Sequence, residues 1–183
     1  GVFVMDGALE GADARLIRMG ESGIIRIRDT IRNQGGKRFA IAHELGHWEL
    51  HKDISQWMLC SDIGTPIYDS SPIEVEANFF ASELLMPTKL FRPRCEDVDP
   101  DLGLIRNLSE DFLVSITASA LRFIDETTHA CAVIFSENKC VKWWKRNDRF
   151  SGWIERKQQI HKDSCAWECL SGEASSKQGM VPV

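Results

Sequence analysis

No apolar stretch in the sequence reaches the roughly eighteen residues that a membrane-spanning helix needs, so no such span is expected. Positive charge is not in excess either. The chain carries 22 Lys and Arg against 27 Asp and Glu, a net charge of -5. The broad basic surface of a nucleic-acid binder is therefore missing, and no direct nucleic-acid partner is expected. None of the six cysteines forms the C-x-x-C pair of a zinc ribbon or dithiol redox motif. Cys60, Cys95, Cys131, Cys140, Cys165 and Cys169 are scattered. A chain of 183 residues does not need disulfides to fold, so free thiols in a reducing cytoplasm are the expectation. Cys165 and Cys169 lack the further ligands of a second metal site. The opening Gly1–Asp6 has no basic region followed by a long apolar run, so it does not read as a secretion signal. Repeats are absent too. What is present is ordinary globular composition, 43% hydrophobic and 27% charged, enough to bury a core.

The apolar periods divide the chain. Residues 12–29 read as a strand pair, with Leu16 and Ile17, then Ile24, Ile25 and Ile27, around the turn Gly20–Gly23. Phe39, Ala42, Gly46 and Leu50 recur at helical spacing and predict a helix over 37–51. Residues 52–72 look irregular. A second helix is predicted over 73–86, with Ile73, Ala77, Phe80, Ala81, Leu84 and Leu85 on one face and Pro87 as its stop. Leu102–Leu108 and Leu113–Ile124 read as two more helices. Ala130–Phe135 and Lys139–Trp144 read as a hairpin over Ser136–Asn138. The fold class is therefore α+β: a small antiparallel sheet packed on two helices, with a C-terminal hairpin. Residues 1–125 form the expected main domain. Residues 126–183 form a hairpin and tail packed on it.

The first of these helices carries His43-Glu44-Leu45-Gly46-His47, an H-E-x-x-H pattern. Residues four apart share a helix face, so His43 and His47 can reach one ion. Neutral imidazole suits zinc, which keeps one open position in a catalytic site. Glu44 sits beside that site, where its carboxylate can take a proton from a water activated by the metal. A catalytic zinc needs a third protein ligand. The second helix offers Glu74 and, four residues on, Asn78. In this reading Glu74 binds the metal and Asn78 accepts a hydrogen bond from the outer nitrogen of a ligating histidine. Glu76 lies roughly 200° around the helix from Glu74 and is the alternative ligand. His51 is the rival third ligand, but histidines at i, i+4 and i+8 span about 12 Å along a helix, too far for one ion. His51 is thus expected to be a helix C-terminal residue favoured by the dipole. His129 and His161 are candidate transition-state donors, with a surface role the plainer alternative. Tyr68, the one tyrosine, is the candidate oxyanion donor.

Arg38–His47 followed by Leu50-His51 resembles the ImmA/IrrE family of metallo-endopeptidases. The block Glu74-Val75-Glu76-Ala77-Asn78 through Leu85-Met86-Pro87 is similar to that family's other signature. The resemblance covers about residues 12–145 with declining strength. It implies a minimal gluzincin-like domain, with His43, His47 and a glutamate of the second block binding Zn2+ and Glu44 as the base. It also implies a protein substrate, since several members cleave a helix-turn-helix repressor. The alternative is a non-catalytic, metal-containing regulator that binds such a repressor or another partner.

Other features read plainly. Trp143-Trp144 among Lys142, Lys145 and Arg146 could stack on bases. Packed indoles with solvated lysines fit the acidic net charge better. Leu108–Phe123 has a helix-turn-helix outline, but Glu110 and Asp111 would face phosphate badly. Trp48 either walls the site or packs in the core.

Overall fold

A computed structural model of the chain describes residues 1–52, 71–155, 157–164 and 166–167. The isoleucines after Gly20 form the expected hairpin. β2 (Ala14–Met19) and β3 (Ser22–Arg28) run antiparallel, with Met19 opposite Ser22. Gly20 in the turn has φ +59, a left-handed conformation that glycine adopts without strain. Ala14, Ile25 and Ile27 bury one face of the pair against Ala40 of the first helix. A third strand, β1 (Val2–Gly7), joins β3 in parallel, giving the order β1-β3-β2. The sheet is therefore mixed. β1 left no period in the sequence because four consecutive residues of this edge strand are exposed.

α1 (Gln34–Leu50) starts at Asn33, whose Oδ1 accepts the Gly36 backbone N–H at 3.0 Å. Gly35 lies directly on the backbone of Val114 and Ser115, where an added Cβ would stand 2.3 Å from Ser115 N. α2 (Pro72–Leu85) opens on a proline, whose fixed φ suits a first helical turn. It packs along α1. Both helices fall close to their predicted spans, but Leu50 and Leu84 are exposed rather than part of the apolar faces. The buried residues of α1 are Gly35, Ala40, Ala42, His43, Glu44, Gly46 and His47. Small and polar residues occupy positions that an ordinary core helix gives to aliphatics, so the apolar stripe misplaces the inner face.

The chain continues through α3 (Thr88–Phe91), a 3-10 turn (Arg92–Arg94), α4 (Leu102–Asp111) and α5 (Ile116–Glu126). Asp101 Oδ1 accepts from Leu104 N and Ser115 Oγ from Ala118 N, so both longer helices have side-chain caps. Leu113, placed by the sequence at a helix start, has φ 54 and lies in the connecting turn. Met86, Phe91, Cys95, Leu108 and Phe123 build a second core here. β4 (Ala132–Glu137) and β5 (Cys140–Arg146) form the hairpin. Its turn falls on Asn138 and Lys139, at φ 52 and 61, a mirror-image turn that matches the strand twist. Cys131 and Val133 lean on the helical core, and Lys145 pairs with Asp125 of α5 at 2.6 Å. Trp144 is buried beside Val141 and Ile160, while Trp143 stacks on Phe135.

The class is α+β. Cys95, Cys131 and Cys140 are free thiols, and burial pushes Cys95 up to about 11. Cys60, Cys165 and Cys169 lie outside the described residues. Among the described residues no helix is long and apolar enough to cross a membrane.

Candidate metal centre

The centre begins with a glycine. A Cβ on Gly46 would lie 3.0 Å from Ala77 Cα and 3.2 Å from Ala77 O, so the backbones of α1 and α2 are nearly in contact. That approach sets the reach of every side chain on the two facing surfaces. His43 and His47 lie one turn apart on α1 and are buried, and Glu74 on α2 is half-buried. The Nε2 atoms of the two histidines are 3.0 Å apart. Glu74 Oε2 is 3.1 Å from His43 Nε2, and its Oε1 is 3.5 Å from His47 Nε2. Among the described residues, these three form a group that could hold a metal ion.

Outer hydrogen bonds decide which ring nitrogens face inward. His43 Nδ1 is 2.9 Å from Asn78 Oδ1, and an amide oxygen can only accept. Nδ1 therefore carries the proton and Nε2 presents a lone pair. His47 Nδ1 is 3.0 Å from His51 Nδ1. His51 Nε2 in turn lies 3.0 Å from Glu76 Oε2. Two lone pairs and a carboxylate converge on one small volume, a donor set that suits a shared cation. A tetrahedral ion with bonds of about 2.0–2.1 Å has ligand–ligand edges of about 3.3 Å. The observed 3.0, 3.1 and 3.5 Å bracket that value, so the residues fit.

Glu44 follows His43 directly and is completely buried. Glu76 is not in the cluster. His51 is buried at the end of α1 and touches His47 rather than the cluster. His161 is exposed and pairs with Asp163, and His129 lies by the loop before β4, where Asn147 Nδ2 donates to its carbonyl. Tyr68 lies outside the described residues.

Trp48 and a residue with no signal in the sequence, Arg18, anchor the end of α1. Arg18 of β2 donates from Nη2 to Trp48 O at 2.6 Å, and its guanidinium lies 3.9 Å over the Trp48 ring. Trp48 also packs where a side chain on Gly23 would collide with it, so this indole faces the sheet. An arginine two strands away in sequence carries no local signal for such a role.

The comparison with known families decides the kinship. Residues 1–123 match the model of the IrrE N-terminal-like domain, a peptidase family. The chain belongs to this family. No curated protein matches the chain significantly. The match to the IrrE N-terminal-like family spans β1 through Phe123 of α5 and so includes both helices of the centre. The domain is metallopeptidase-like, with a His-His-Glu cluster able to bind a metal ion.

Proposed function

We propose that the chain is a zinc-dependent endopeptidase with His43, His47 and Glu74 as ligands and Glu44 as general base. The observation that carries this reading is the convergence of His43 Nε2, His47 Nε2 and the Glu74 carboxylate within 4.8 Å of one another. Among the described residues the cluster has three donors, which is the protein-ligand count of a catalytic zinc centre. When bound, zinc polarises a carbonyl and lowers the pKa of water to about 7.

The chain's own residues supply the rest. Asn78 fixes the ring of His43. Glu74 brings the negative charge. Glu44, shielded from solvent, accepts the proton of the attacking water and passes it to the leaving amine. The Glu44→Gln variant keeps its zinc and loses peptide cleavage by about 100-fold or more, measured by metal analysis and mass spectrometry of a protein substrate. Cleavage at the wild-type rate contradicts the assignment of the base.

Family kinship points to a cytoplasmic helix-turn-helix repressor as substrate. Incubation with a repressor encoded next to the gene, followed by mass spectrometry, tests that part by itself.

A further inference from the structure

The outer side of His47 differs from that of His43. His43 leans on an amide, but His47 leans on a second imidazole, which leans on a carboxylate. An imidazole can donate or accept at either nitrogen, so on its own it does not dictate the tautomer of a neighbour. The carboxylate removes the ambiguity. Glu76 Oε2, 3.0 Å from His51 Nε2, can only accept when ionised, so the proton of neutral His51 is on Nε2. His51 Nδ1 is then a lone pair. His47 Nδ1, 3.0 Å away, must donate to it. The remaining nitrogen of His47, Nε2, is the one turned toward His43 and Glu74.

We propose that Glu76 and His51 form a positioning relay that holds His47 in the tautomer able to bind a metal ion. This rests on reading the His43–His47–Glu74 cluster as a metal site. The relay spans both helices. His51 is the residue that ends α1, with its backbone N–H on His47 O at 3.1 Å, and Glu76 comes from α2. His51 is buried, whereas the Glu76 side chain is 62% exposed. Water can replace part of what Glu76 does, but not what His51 does. The two positions therefore differ in weight. Truncation at 51 leaves the buried His47 Nδ1–H without its acceptor and frees the ring to turn or to exchange tautomers.

The test compares His51→Leu, His51→Asn and Glu76→Gln with the wild type in two measurements. The first is zinc affinity by competition with a chromogenic chelator. The second is the nitrogen-15 shift pattern of the His47 ring in the metal-free protein, which distinguishes the tautomers. His51→Leu lowers zinc affinity by about 10- to 100-fold, the usual scale for removing an outer hydrogen bond of a ligand. Its His47 ring shows mixed tautomers. His51→Asn restores most of the affinity and the single tautomer, because its Oδ1 sits where His51 Nδ1 was and can accept. Glu76→Gln costs less than His51→Leu. If His51→Leu fails to fold, the wild-type ring decides: one His47 tautomer, protonated on Nδ1, supports the relay. Zinc binding and a His47 tautomer unchanged in His51→Leu, or a wild-type His47 protonated on Nε2 rather than Nδ1, overturn the relay. A wild type that does not bind zinc overturns the metal-site reading instead.

Discussion

Arg122 shows how a single residue can tie the helices around the centre. Its guanidinium is buried and contacts Glu83 of α2, Thr88 Oγ1 at 2.7 Å and Glu126 at 3.3 Å. Burial by itself would raise Glu83, but hydrogen bonds from Thr88 and Arg122 outweigh it and hold the carboxyl below its ordinary value. A carboxyl lowered on folding stabilises the fold above its unfolded value of about 4.5, and that contribution is lost as pH falls through the lower folded value. Glu83→Gln should therefore melt below the wild type at neutral pH, with the gap closing in acid. A gap independent of pH, in thermal melts followed by circular dichroism, contradicts that account. The same scale shows what could be read directly. His43, Glu44 and His47 announce themselves by spacing, and Glu74 and Asn78 by their own four-residue repeat. The role of Glu76 was hidden because its direction was measured from Glu74. The helix contact lies at Ala77, between them. Relative to Ala77, Glu76 stands about 100° to one side and Glu74 about 60° to the other. Both therefore flank the contact, and Glu76 reaches His51.

At the scale of elements, the centre exists because α1 and α2 approach without side chains between their backbones. Gly46 and Ala77 make that possible, and Gly46 also lies inside the H-E-x-x-H pattern. The Gly46→Val substitution forces the helices apart, at a cost of about 1–3 kcal/mol from overpacking. It should also weaken zinc binding, since Glu74 then stands off from both imidazoles. Chemical denaturation and chelator competition read the two effects. Unchanged values for both contradict the close-contact argument. The spans of α1 and α2 were legible from their apolar periods and, for α2, from the stop at Pro87. Their inner faces were less so, because polar and small residues replace the aliphatic stripe on which such readings depend. β1 was invisible for a different reason. Its partner is parallel and its residues are exposed, so neither a turn nor an alternation marks it.

For the whole molecule, the centre lies on the two helices that link the two cores. α1 contributes Ala40 to the core under the sheet, while α2 ends next to Met86 and Leu85 in the helical core. Ligands donated by both helices mean that a bound ion holds one side of the fold to the other, and an ion that binds only the folded chain stabilises it by mass action. The most direct test of the account is the zinc content of wild type and Glu74→Ala after dialysis against a weak chelator, with folding monitored by circular dichroism. The account predicts about one zinc per wild-type chain and little in the variant, given a three-ligand centre. A folded wild type without zinc, or a variant that keeps it in full, would contradict the claim that His43, His47 and Glu74 hold a common ion.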